Sequence, residues 1–151
     1  MTPPSPPSLT WGPVTLPVPP SANRYWRSWR GRVVRSAEAE AYCYAVGLMT
    51  RRYRGTEWPT RGAAVAVAVR WVRAKAAGDL DNRLKVLLDA LQGVLYWDDG
   101  QVAELHAYRD DSDRHHPRVD VVAWRVGGVA DLATVVGGAL GWGTATGGRR
   151  P

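Results

Sequence analysis

Asp79-Leu80-Asp81-Asn82, with Lys85 one helical turn further on and Asp98-Asp99 after a short intervening segment, gathers the residues of this chain that could do chemistry. Like charges raise each other's pKa, so three or four carboxylates converging on one spot need a cation to hold them. The natural candidate is a hard divalent metal. Mg²⁺, with Mn²⁺ as a possible substitute, takes oxygen ligands, keeps several waters and binds through one or two carboxylates plus substrate phosphates. A lysine beside such a site adds positive charge where a phosphodiester in transition carries extra negative charge. The combination reads as phosphate-ester cleavage.

These residues need elements to position them. Arg73 to Gly78 reads as a basic, small-residue loop that delivers the chain to Asp79. Asp81 is placed to cap a helix whose apolar stripe is Leu84, Leu87, Leu88 and Leu91 and whose end is marked by Gly93. Asp81, Lys85 and Asp89, four apart, then share its polar face. Each residue also has a plainer reading. An isolated aspartate pair is more often a cap plus a solvated side chain, Lys85 could make only an i to i+4 salt bridge, and one of Asp98 and Asp99 belongs to a turn before Gly100. Against the plain reading of Lys85, the chain has eighteen arginines and only two lysines. An EF-hand loop is excluded, because Arg83 and Leu84 stand where that motif needs an oxygen ligand and glycine. His115-His116, in a polar loop, reads as solvated.

The rest of the chain supplies a scaffold. Residues 14–16 read as a short strand stopped by Pro17, Pro19 and Pro20, and residues 21–31 as a loop dense in Arg and aromatics, with Val33-Val34 resuming a strand. Ser36 is the N-cap of a helix from 37 to about 53. Alternation marks a half-buried strand over 63–72 and further strands over 102–108 and 118–126. The fold class that follows is α+β, with two helices packed on a small mixed sheet. Residues 1–12 are expected to be a flexible lead-in, 13–126 the folded domain, and 127–151 a glycine-rich tail without firm structure whose removal leaves folding unchanged.

Composition points to a nucleic-acid partner. The net charge is +6, and it is uneven: residues 1–78 hold twelve Arg or Lys against three Glu (+9), whereas residues 79–151 hold eight against eleven acids (−3). A basic half can grip a backbone while an acidic half binds the metal. Arg24, Tyr25, Trp26, Arg27, Trp29 and Arg30 form a cluster that could stack on bases or line a dimer core. A single cysteine, Cys43, excludes a disulfide framework and a zinc site, and no apolar run reaches the length of a membrane span. A cytoplasmic protein is expected.

Leu16-Pro17-x-Pro19-Pro20-Ser21-x-Asn23-Arg24-Tyr25, then Asp79-Leu80-Asp81-Asn82-x-x-Lys85-x-x-x-Asp89-Ala90-Leu91, then Asp98-Asp99-x-Gln101-Val102, resembles the RusA family of Holliday junction resolvases over about residues 14–126. The resemblance implies a RusA-like fold and a Mg²⁺-dependent endodeoxyribonuclease, often of phage origin. Such an enzyme works as a homodimer and nicks opposing strands of a four-way DNA junction in recombination and repair. It also implies that Asp79, Asp81 and Asp99 are catalytic metal ligands and that Lys85 is the essential lysine. Asn23, Arg24, Tyr25, Arg27, Arg30, Arg73 and Lys75 are the candidate DNA contacts. The competing readings are a non-catalytic structure-specific DNA-binding protein and a metal nuclease acting on other branched DNA or on RNA.

Overall fold

The computed structural model of the protein describes residues 10–55, 57–75, 78–127 and 131–142. Its centre is a four-stranded mixed sheet in the order β1-β6-β4-β5, built from β1 (Thr10–Leu16), β4 (Val65–Val72), β5 (Val102–Asp110) and β6 (Arg118–Arg125). β4 pairs in parallel with β5 and antiparallel with β6, which in turn pairs antiparallel with β1. Parallel neighbours need a crossover connection. Here that connection carries α2 (Leu80–Leu91), so the candidate chemistry rides on the segment that links the two strands.

One face of the sheet carries both main helices. Val65, Val67, Val69 and Trp71 of β4 pack with Ala39, Tyr42 and Val46 of α1 (Ala37–Met49) and with Val86, Leu87, Ala90 and Leu91 of α2. The Ser36 side chain accepts from the Ala39 N–H, as its N-cap assignment requires. The helix stops at Met49, earlier than the spacing predicts, and Arg51–Tyr53 continues as one 3₁₀ turn. Thr50 ends it by turning its hydroxyl back onto the Val46 carbonyl at 2.7 Å. Such back-bonding competes with the ladder of the helix itself.

Three expectations fail here, each for a physical reason. Residues 21–31 are not simply a loop: after a 3₁₀ turn, β2 (Trp26–Trp29) pairs antiparallel with β3 (Arg32–Arg35) as a two-stranded ribbon. Arg30 (φ 49°) and Gly31 (φ 73°) at its tip supply the positive φ that a tight hairpin needs. The strand over 65–72 is not half-buried. It lies between two neighbours, and its alternate residues Ala66 and Ala68 are covered as well. What covers them is the third failure. Residues 133–140 of the expected structureless tail form a π-helical segment that, with Trp142, buries Val135 and Val136 against Ala66, Ala68, Val122 and Trp124. The expected lead-in over 1–12 also overlaps β1, which begins at Thr10; residues 1–9 and 143–151 lie outside the described residues.

The proline-rich stretch after β1 has a positioning role. Prolines lack N–H groups, but their carbonyls still accept. Pro17 O takes the Tyr42 hydroxyl at 2.8 Å and Pro19 O takes the Arg83 guanidinium at 2.6 Å, so the stretch is tied to α1 and to the first turns of α2. In β1 itself, a bulge between Trp11 and Val14 sets Gly12 at φ 88°, where a Cβ would come 2.5 Å from the Val121 carbonyl oxygen. Only glycine fits there.

Candidate active site

Asp79, not Asp81, occupies the N-cap position of α2. Its backbone is extended, and its side chain makes no capping bond, so the carboxylate is not consumed by the helix. Asp81 lies in the first turn and, among the described residues, accepts from the adjacent Asn82 N–H at 2.9 Å. Lys85 follows one turn later, exposed and without an ion pair among the described residues. The salt bridge to Asp81 or Asp89 that would make it an ordinary surface lysine is absent from that set.

The structure separates the two neighbouring aspartates. Asp98 caps the turn Asp99–Gln101: its carboxylate accepts from the Gly100 N–H at 2.9 Å, while the Gln101 side chain reaches back to the Asp98 N–H. The Gly100 N–H, and then the Asp99 carboxyl, hold the Asp98 carboxyl below the usual carboxylate range. Gln101 also donates to the carbonyls of Thr60 and Ala63, which fixes the turn to the sheet. Asp98 is thus spent on local structure, and Asp99 is left exposed with no ion-pair partner among the described residues.

Asp89, two turns along α2 from Asp81, is a further member of this group. It is half-buried beside the buried Tyr25 hydroxyl, whose polar neighbour is this carboxylate. Burial, and then the neighbouring Asp89 carboxylate, push the Tyr25 pKa up to about 12. Burial raises the Tyr96 hydroxyl too, with Asp89 and Asp99 adding to it, and Tyr96 donates to the Leu88 carbonyl. Asp89 and Asp99 therefore flank one tyrosine that holds the return chain against the end of α2. The sequence signal for Asp89 is its four-residue spacing from Lys85.

The carboxylates do not close into a metal cage. Among the described residues, no three His, Cys, Asp or Glu side chains are grouped so as to hold an ion together. The donor chemistry nevertheless fits Mg²⁺, which commonly binds by one or two carboxylates and completes its shell with water and substrate phosphate. Asp79 and Asp81, unspent and two residues apart, are such a pair.

The candidate DNA contacts divide. Asn23, Arg24, Arg27 and Arg30 are exposed on or beside the β2–β3 ribbon, with Trp26 and Trp29 48% and 50% exposed between them. Lys75 is exposed in the loop before Gly78. Tyr25 and Arg73 are not surface contacts: Tyr25 is a core residue, and Arg73, also buried, forms two 2.6 Å bonds to Asp111. Their sequence signal was an aromatic and a cation in a basic stretch, which does not reveal partners far along the chain.

Comparison with known proteins shows the family. The family described as endodeoxyribonuclease RusA matches residues 17–122. A crossover junction endodeoxyribonuclease of Enterobacteria phage 82 is 40% identical over 95 residues, covering 60% of this chain and 76% of the relative. The protein of that name from Escherichia coli (strain K12) is 38% identical over 95 residues, with the same coverage. That of E. coli O139:H28 is 36% identical over 92 residues, covering 59% of this chain and 73% of the relative.

Proposed function

The chain belongs to the RusA family of endodeoxyribonucleases, and from that membership we propose that it cuts four-way DNA junctions by paired nicks in recombination and repair, with a divalent metal at Asp79 and Asp81 and with Asp99 completing the acidic set. The observation that carries the proposal is that these carboxylates have no ion-pair partner among the described residues of a chain with eighteen arginines. Mg²⁺, or Mn²⁺ in its place, would supply Lewis-acid polarisation of the phosphate and a water of lowered pKa. Lys85 places an unneutralised ammonium on the same helix face, where it stabilises charge developing on the phosphoryl oxygens. The ribbon residues Asn23, Arg24, Arg27 and Arg30, with Lys75, grip backbone phosphates, and this makes binding fall steeply with salt.

Paired nicks need two active sites facing opposing strands, which a two-fold homodimer provides. The outward side of α1 is a surface suited to it: Tyr44, Leu48 and Met49 are 71%, 50% and 45% exposed. Glu38 and Glu40 lie at the start of α1, and Arg51 and Arg52 follow its end. Two copies meeting antiparallel would cover the stripe and set acids against arginines. Leu48→Asp should convert a dimer into a monomer by sedimentation at micromolar concentration; a Leu48→Asp dimer would remove α1 as the interface.

Cleavage of a synthetic four-way junction in Mg²⁺ and in EDTA, beside duplex, flap and RNA controls, tests the function. Junction cleavage in Mg²⁺ alone is expected. Junction binding without cleavage would favour a non-catalytic binding protein, and equal cleavage of flaps or RNA would move the substrate elsewhere. No helix among the described residues is long and apolar enough to cross a membrane, and the proposed work is on cytoplasmic DNA.

A further inference from the structure

An open cleft of about 440 Å³ lies between the end of β4 and the first turns of α2, within the range of about 300–1,000 Å³ over which pockets enclose a small molecular unit. We propose that it holds one unstacked nucleotide of the substrate DNA, next to the phosphate that is cut; the inference rests on the nuclease reading above. Its apolar lining is Val18, Trp71 and Pro117, and its cations are Lys75 and Arg83. An apolar interior with two cations suits a flat base joined to an anionic phosphate.

The two cations are not neutralised. Arg83 spends one N–H on the neutral Pro19 carbonyl at 2.6 Å and pairs with no carboxylate among the described residues. A guanidinium has five N–H donors, so four remain for an anion. Lys75 is exposed and unpaired within the same set. Arg73 also lines the cleft, but Asp111 takes its charge, so it serves as wall.

Two features join the cleft to the chemistry. Gly78 lies at its rim at φ +98°, and a Cβ there would come 3.3 Å from the Trp71 ring, so a side chain at this position would crowd the opening. The next residue is Asp79, whose carboxylate the helix does not use. The positive end of α2 adds to the attraction for phosphate. A branch point is also where an unpaired base costs least to turn out of the stack.

The test pairs altered DNA with altered protein. Four-way junctions carry a single abasic site at each position near the cut, and binding in EDTA and cleavage in Mg²⁺ are measured for the wild type, Pro117→Trp and Val18→Trp. The wild type should lose about tenfold in affinity or kcat/KM when the base is removed at one position, and the filled variants should show no such position-specific loss. Pro117 is exposed in a loop, so Pro117→Trp decides the matter if Val18→Trp fails to fold by circular dichroism. Equal behaviour of all abasic junctions with the wild type, or a penalty that survives in the folded variants, would overturn the cleft as a nucleotide site and leave junction cleavage standing. Failure of the wild type to bind or cut the unmodified junction would remove the nuclease reading and this inference together.

Discussion

The aspartates around the β5–β6 connection and those along and beside α2 are treated in opposite ways. Around the β5–β6 connection, each is matched to an arginine: Asp120 to Arg70 at 2.8 Å and Arg118 at 3.3 Å, Asp111 to Arg73 at 2.6 Å, and Asp113 to Arg118 at 3.0 Å. Asp110 stands 4.0 Å from Arg70. On the helical side, Asp79, Asp81, Asp89 and Asp99 have no such partner among the described residues. A chain this rich in arginine has ample cations to neutralise a helix face. The first group stabilises the protein, and the second has no cationic partner among the described residues, as the proposed metal site requires.

Asparagine substitutions on the two sides should sort accordingly, and the largest effect belongs to the helical side. Asp79→Asn, Asp81→Asn and Asp99→Asn should each slow junction cleavage by about a hundredfold or more, since losing metal-based stabilisation removes several kcal/mol from the transition state. Junction binding should persist or tighten, because a negative charge facing phosphate is gone. Asp98→Asn, whose carboxylate is occupied by the turn, should retain cleavage within about tenfold. Wild-type rates in all three variants would dismiss the site, and inactivity of Asp98→Asn alone would transfer the role of Asp99 to its neighbour.

The second effect concerns what covers the paired side. The Arg70 guanidinium lies over the Trp142 ring at 5.2 Å, so the C-terminal segment shields both an apolar patch and the Arg70–Asp120 pair. Deleting residues 131–151 should destabilise the fold by exposing Ala66, Ala68, Val122 and Trp124 to water, and should lower Tm in a thermal melt. An unchanged Tm would mean that this face needs no cover.

Legibility followed the range of the interactions involved. The two helices and the strands of the central sheet could be read because periodicity and the Ser36 cap are local, though the cap of α2 falls on Asp79 and not on Asp81. The cover on Ala66 and Ala68 could not be read, because two alanines look the same whether water or a helix lies above them, and because Gly137, Gly138 and Gly141 disguise the segment that packs there as linker. Tyr25 and Arg73 were misplaced for a similar reason. Tyr25 packs into the main core cluster and Arg73 is bonded to Asp111, contacts made far along the chain. The local bonds that separate Asp98 from Asp99 depend on the Gly100 and Gln101 backbone, which composition does not reveal.

A third effect, smaller, tests the paired side directly. Asp120 is buried, accepts from Thr15 as well as from Arg70 and Arg118, and should not be replaceable at no cost. Asp120→Asn should destabilise by about 2 kcal/mol, because Arg70 and Arg118 lose a charged acceptor but keep partial access to water. Specific activity of the folded enzyme should be unchanged. Acid should act on the same side. Asp111 is held below the usual range first by its bonds to Arg73, and Asp110 and Asp113 by theirs to Ser112 and to His116 and Arg118. A depressed folded pKa gives stability that is present above the ordinary carboxylate value and is lost as pH falls through the folded one. Tm should therefore drop below about pH 4, and drop less in Asp111→Asn.

The smallest effect is expected at Tyr25, which links the two comparisons because a buried hydroxyl there faces an unpaired carboxylate. The Tyr25 hydroxyl has the Asp89 carboxylate as its polar neighbour, so Tyr25→Phe should change stability at neutral pH by about 1 kcal/mol or less. At high pH the variant should do better than the wild type. The folded Tyr25 pKa of about 12 lies above the ordinary 10.0, so its contribution is complete below the ordinary value and is lost as pH rises towards the folded one. Phenylalanine has no proton to lose, so Tyr25→Phe should shed less stability in that window. Junction affinity should be unaltered, as the ring packs in the core and the hydroxyl points at Asp89. A tenfold loss of binding in Tyr25→Phe with an unchanged Tm would return Tyr25 to the DNA-contacting surface and place Asp89, through it, within reach of the substrate.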